Sequence, residues 1–145
     1  QAVQLYRQRF NPSEQLQRSY VMLGVNVVAA DSDAEAERLF SSLEQAFVRL
    51  RQGRPGQLPP PVSGYRDRLT PVEQSIIEET LACSVVGPAE TVRQGLEAFV
   101  AATGADELMV TSQIFDHAAR LRSFEITAQA RDAPSGVALE PATPT

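Results

Sequence analysis

The stretch that decides the fold is residues 84–126, which read SVVGPAETVRQGLEAFVAATGADELMVTSQIFDHAARLRSFEI. Its first part predicts a helix that opens at Gly87-Pro88, since proline suits a first helical position, and ends at Gly104, as helices commonly do at glycine. The apolar run Leu108–Ser112 is too short for a helix and predicts a buried strand. Asp116 predicts the N-cap of a last helix. A strand between two helices favours a parallel sheet covered by helices.

Another strand is predicted at Tyr20–Ala30, because its nearly continuous apolar character is typical of a strand buried on both faces. Side chains alternate along a strand, so every second residue shares a face. The face that suits packing under helices carries Val21, Leu23, Val25 and Val27. The face that suits a crowded, partly polar barrel interior carries Met22, Gly24, Asn26 and Val28.

Capping signals mark two further helices. Ser32 with Glu35 opens a strongly amphipathic helix, and Thr70-Pro71 with Glu73 opens another. Residues 52–65 between them are rich in glycine and proline, and Pro59-Pro60-Pro61 is predicted to be extended. We expect an insertion at about residues 52–83 and a disordered tail at residues 131–145, where hydrophobic periodicity is lost.

Composition limits the classes of function. The chain has 145 residues, enough for one domain, and a net charge of −5 without a basic stripe, which argues against a nucleic-acid partner. It has no apolar run of about 18 residues, so no membrane association is expected. Cys83 is the only cysteine, which excludes a disulfide framework and a thiolate metal site, and we predict no metal. No signal-peptide pattern opens the chain, and a cytoplasmic location is expected.

The same stretch resembles a known family. The sequence VVGPAETV, followed by TGADELMVTSQIFDHAARLRSFEI, is similar to the C-terminal end of luciferase-like, flavin-dependent monooxygenases. The resemblance covers about Leu5–Ala130. It implies a (β/α)8 TIM barrel. A complete barrel of this kind needs about 250 residues. We therefore expect the chain to be a fragment, in which residues 1–130 form the C-terminal part of a barrel with two parallel strands and about five helices.

The resemblance also implies an activity. It predicts an oxidoreductase in which reduced FMN, bound in place or supplied by a separate reductase, reacts with O₂ to oxidise a small organic substrate. The alternative is a non-catalytic fragment that binds flavin or serves only in assembly. The family's catalytic residues would lie in the absent N-terminal half, so the catalytic residues stay unknown. We also expect a homo-oligomer, because two strands leave their edges and an apolar face uncovered.

Four residues are candidates for cofactor binding. Thr111 and Ser112 lie at the carboxyl end of a predicted strand, where barrel enzymes place their chemistry, although either hydroxyl could simply close the turn that follows. Asn26 could meet the cofactor or satisfy a polar neighbour inside the barrel. Gly87 precedes a helix whose free N–H groups could hold a phosphate, or it could serve only as a turn.

Overall fold

The computed structural model describes residues 2–132 and shows an α/β unit. Its five α-helices, one 3₁₀ turn and three strands follow one another along the chain. They are α1 (Ala2–Arg9), β1 (Met22–Ala29), α2 (Asp33–Arg51), the 3₁₀ turn (Arg66–Arg68), α3 (Pro71–Thr80), β2 (Val85–Gly87), α4 (Ala89–Thr103), β3 (Glu107–Thr111) and α5 (His117–Asp132). The predicted α/β class and the five helices are confirmed.

The sheet has three parallel strands in the order β2-β1-β3, so the prediction of two strands was wrong. The missed strand is β2, which spans only Val85–Gly87 and pairs with Val27–Ala29 at the carboxyl end of β1. A strand of this length has too few residues to show an alternating pattern, and it forms because β1 offers it an edge. β3 pairs with the earlier part of β1, from Met22 to Asn26.

One face of the sheet packs against α4 and α5, as the alternation along β1 predicted. Val25, Val27 and Ala29 of β1 lie in one apolar cluster with Val92 of α4 and Ile126 of α5. The partly buried side chains that complete this cluster are Leu96, Phe99, Leu108 and Val110. The helix-facing positions of Val25 and Val27 in β1, and of Leu108 and Val110 in β3, are therefore confirmed.

The other face is covered only at its carboxyl end. There Val28 and Val86 pack with Phe40 of α2 and Ile77 of α3 in a second apolar cluster. Nearer the amino end the same face stays exposed. We call this exposed area the open patch; it comprises Met22, Gly24 and Met109.

The helix ends follow the predicted caps with two differences. Thr70 and Glu73 form a complete capping box, and Gly104 ends α4 in the left-handed conformation with φ of 65°. Ser32 accepts the amide of Glu35 without the reciprocal bond, because the Glu35 carboxylate pairs with Arg38 instead. Pro88 is the N-cap of α4, so this helix begins one residue later than predicted.

The predicted insertion and the first residues of the predicted tail contain regular secondary structure. The segment from Gln52 to Cys83 contains the 3₁₀ turn and α3, and α3 packs on α2 through the second apolar cluster. Residues 131 and 132 belong to α5, so the helix continues past the start of the predicted tail. Residues 133–145, where the rest of that tail was predicted, lie outside the described residues.

Candidate functional site

Asn26 and Thr111 form a hydrogen-bonded pair at the carboxyl end of the β1–β3 ladder. They lie opposite each other in the register, and the Thr111 hydroxyl donates to Oδ1 of Asn26 at 2.6 Å. The bond orients the amide of Asn26, whose Nδ2 group carries the donors that the residue can offer to a ligand. The pair thus presents N–H donors and a hydroxyl oxygen on the face that α4 and α5 leave uncovered.

The pair borders the open patch. Gly24 lies two residues before Asn26 and is opposite Met109. Met22 lies a further two residues before Gly24 and is opposite Glu107. Met22 is 46% exposed and Met109 56% exposed, which is high for large apolar side chains. Apart from Gly24 and its two neighbours in the chain, no residue has an atom within 4 Å of the position where Gly24 would carry a Cβ, so the backbone is accessible there. The patch can therefore receive a flat apolar group, with Asn26 and Thr111 at one end and the Glu107 carboxylate, which accepts from the Tyr20 hydroxyl, at the other.

Ser112 faces away from this pair, into the core. Its side chain is buried, and its hydroxyl donates to Oγ of Ser123 on α5 at 3.1 Å. Alternation along β3 accounts for this, because Ser112 follows Val110 on the helix-covered face while Thr111 follows Met109 on the other. The same alternation was available from the sequence and separates the two hydroxyls.

Gly87 lies on the opposite side of β1 from Thr111. It ends β2, pairs with Ala29, and its carbonyl accepts the amide of Ala30. Its φ is +149°, and an added Cβ would lie 2.7 Å from the Thr91 side chain, so glycine is required for both conformation and space. The structure thus brings Asn26 and Thr111 together and sets Ser112 and Gly87 apart from them. The cofactor-binding role of all four residues stays a prediction.

A concave region lies between α2 and the segment that follows it. It encloses about 670 Å³. Its polar lining includes Glu37, Arg38, Ser41, Glu44, Tyr65 and Arg66. Burial raises the pKa of the Tyr65 hydroxyl. None of the four candidate cofactor-binding residues lines this cleft.

Polar side chains of α2 hold the wall of the cleft in place. Ser41 accepts the amide of Val62 at 2.8 Å, and Gln45 donates to the carbonyl of Pro60 at 3.0 Å. Between them, Glu44 accepts from Nε of Arg66 at 2.6 Å. Burial raises the pKa of the Glu44 carboxyl, and the hydrogen bond from Arg66 partly opposes this.

Sequence reasoning missed this attachment. Ser41, Glu44 and Gln45 share one face of α2 at helical spacing, and all three are buried. Polar residues beside an apolar stripe are ordinarily exposed to solvent, so the sequence pattern does not reveal their burial. Their partners lie 15 to 22 residues away in an irregular segment, and no local pattern points to them.

Two features are absent from residues 2–132. No helix there is both long and apolar enough to cross a membrane. Within the same residues, no group of three or more His, Cys, Asp or Glu side chains is arranged to hold a metal ion.

Fold and site together define a class. Parallel strands with helices between them, and polar side chains at the carboxyl end of a strand pair, are the arrangement of α/β barrel enzymes. In fold, the chain is similar to the crystal structure of apo-MsnO8, with a TM-score of 0.78 and 33% identity, over 92% of this chain and 41% of that one.

Sequence comparison leads to the family. The chain is 47% identical over 132 residues to a luciferase-like monooxygenase of Escherichia coli K12, and 45% identical over 127 residues to the uncharacterised protein YvbT of Bacillus subtilis. These alignments cover 91% and 88% of the chain, but the chain spans only 39% and 38% of the length of those relatives. No family model matches. The chain is thus a relative of the luciferase-like monooxygenases and corresponds to part of such a protein, which confirms the resemblance seen in residues 84–126.

Proposed function

We propose that this chain is part of an FMN-dependent monooxygenase that uses reduced flavin and O₂ to oxidise a small organic substrate. The observation that carries the proposal is the 47% identity to a luciferase-like monooxygenase over 91% of the chain. The flavin supplies the oxygen chemistry when bound, and the protein orients the reactants and excludes water. We place the protein in the cytoplasm, with a small-molecule substrate and O₂ as its partners.

Asn26 and Thr111 are the described residues that best fit a flavin or a substrate. The open patch offers an apolar floor, and the Asn26 amide, oriented by Thr111, offers donors at its edge. These groups suit a flat ring system with a carbonyl oxygen at its rim, since N–H donors pair with carbonyl acceptors. Ser112 fits poorly, because its hydroxyl is buried and bonded to Ser123.

A chimera tests the proposal. The matched 132 residues of the E. coli relative are replaced by those of this chain, and oxygen uptake is measured with reduced FMN and a panel of aldehydes, alkanes and sulfonates. We expect flavin-dependent uptake above the free-flavin rate, and weaker FMN or substrate binding when Asn26→Leu is introduced. Val72→Ala, on the exposed surface of α3, is the matched control. A folded chimera without substrate-dependent uptake would contradict the proposal.

The alternative is a fragment that binds flavin or serves in assembly without turnover. It is favoured by the three strands of the described residues, where a closed barrel has eight. A second measurement distinguishes the two functions. Quenching of FMN fluorescence by this chain alone, without substrate oxidation by the chimera, supports the alternative, whereas oxidation of any substrate in the panel by the chimera supports the monooxygenase.

A further inference from the structure

Ser123 connects the carboxyl ends of β1 and β3 from inside the core. Its Oγ accepts the backbone amide of Ala29, the last residue of β1, at 2.9 Å. The same oxygen accepts the hydroxyl of Ser112, the residue after β3, at 3.1 Å. The Ser123 side chain is 1% exposed, so water does not compete for these bonds.

Ser123 lies where the backbone amide of Ala29 has no partner in β3. The β1–β3 ladder ends with Asn26 opposite Thr111, and the amide of Ala30 is bonded to β2. Because successive residues of a strand direct their backbone groups to opposite sides, the amide of Ala29 is directed to the β3 side, beyond the end of β3. A buried amide without a partner is costly, and the Ser123 hydroxyl supplies the acceptor that β3 lacks there.

The bridge lies next to the Asn26–Thr111 pair. Ser112 directly follows Thr111, and Ala29 is three residues beyond Asn26, so Ser123 sets the spacing of the two strands where this pair forms. We propose that Ser123 is a positioning residue, which acts through Ala29 and Ser112 to hold Asn26 and Thr111 in hydrogen-bonding register. This rests on the proposed function only in so far as that pair contacts flavin or substrate.

Thr127 provides a matched control on the same helix. It is also buried, and its hydroxyl donates to the carbonyl of Ser123 at 2.7 Å. That bond lies within α5 and does not involve the strands. Thr127→Val therefore removes a buried hydroxyl from α5 at constant shape while leaving the link between β1 and β3 intact.

The test uses this chain and two measurements. The first follows the Asn26 side-chain amide and the Ala29 backbone amide by nitrogen-15 NMR and hydrogen exchange. We expect Ser123→Ala to shift the Asn26 signals and to speed the exchange of Ala29, while Thr127→Val leaves the Asn26 signals in place. Ser123→Cys keeps the volume with a weaker hydrogen bond and gives an intermediate result if alanine loosens the fold. Unchanged Asn26 signals in both Ser123 variants, or an equal shift in Thr127→Val, overturn the proposal.

The second measurement is FMN binding, followed by quenching of flavin fluorescence. Ser123→Ala is expected to weaken binding roughly two- to tenfold, the range for one misplaced hydrogen bond, with no such loss in Thr127→Val. Equal affinity in Ser123→Ala and the unmodified chain contradicts the positioning role. If the unmodified chain binds no FMN, the hypothesis that this chain alone binds flavin is wrong, and the NMR comparison still decides the role of Ser123.

Discussion

Arg66 and Glu44 form an ion pair whose partners differ in exposure: Nε of Arg66 lies 2.6 Å from Oε1 of Glu44, yet the side chains are 61% and 2% exposed. The pair joins the 3₁₀ turn to the middle of α2. Loss of Arg66 and loss of Glu44 therefore have different consequences, because only the carboxylate is buried.

The first prediction concerns this asymmetry. Arg66→Ala leaves a buried carboxylate without its cation, and we expect the free energy of unfolding to fall by about 3 kcal/mol or somewhat less. Glu44→Gln leaves an exposed guanidinium that water solvates and keeps an oxygen acceptor, so the expected loss is under about 1.5 kcal/mol. Urea denaturation measures both values. Arg68→Ala, in the same 3₁₀ turn, is the control, and equal losses for Arg66→Ala and Glu44→Gln would contradict the prediction.

The second prediction concerns pH. Burial raises the pKa of Glu44 above 4.5, its ordinary value. At a pH between 4.5 and the raised pKa, the folded chain therefore binds more protons than the unfolded chain. Its stability then falls as pH rises through this window. In Glu44→Gln this contribution is absent. We expect the stability of the unmodified chain, relative to this variant, to increase as pH falls from 7 toward 4.5. Thermal melting across this range tests the sign, and a constant difference would show that the carboxylate does not titrate there.

The third prediction concerns Gly95, where α4 crosses β2. Alanine normally stabilises a helix relative to glycine by about 1 kcal/mol. Here the added methyl group would lie 2.6 Å from Cγ1 of Val85, which is itself buried, and overpacking of this kind costs about 1–3 kcal/mol. We expect Gly95→Ala to destabilise the chain and Val85→Ala to relieve the clash. A double-mutant cycle measures the coupling free energy between the two positions. Additive changes in the free energy of unfolding would show that the contact with Val85 does not cause the loss of stability.

Sequence predicted the features that depend on local patterns. The helix-facing side of β1 and the capping box of Thr70 follow from residue spacing alone, and both are present. The features that it missed depend on partners distant in the chain. β2 forms only because it pairs with a strand 58 residues earlier, as Val85 does with Val27. In the candidate site, Asn26 and Thr111 were found separately. Their hydrogen bond follows from a register that no local pattern sets.

The fourth prediction is that this chain alone has no monooxygenase activity. The three strands of the described residues cannot enclose a site, because a (β/α)8 barrel closes with eight. Oxygen uptake with reduced FMN and the aldehyde, alkane and sulfonate panel should not exceed the free-flavin rate. The chimera with the E. coli relative is the positive control. Substrate-dependent uptake by the isolated chain would show that the remainder of such a protein is not needed for turnover.

The last prediction is that the chain self-associates through its sheet. β2 and β3 form the two edges of the sheet, and such edges carry unpaired N–H and C=O groups that pair readily with another strand. Beside the β3 edge, Met22 and Met109 remain about half exposed on the open patch. We expect dimers or larger species at micromolar concentration, measured by sedimentation, and a shift toward monomer when Met22→Glu and Met109→Glu are combined.

Val72→Glu is the matched control for this experiment, since Val72 is 70% exposed on α3 and lies outside the open patch. It adds one of the same charged side chains to the surface without altering the sheet, so the association should persist. If the unmodified chain sediments as a single monomeric species, melts cooperatively and binds no hydrophobic dye, the open patch is not an association surface. Equal dissociation by Val72→Glu would instead attribute the effect to net charge, because a more negative chain repels its copies wherever the charge lies.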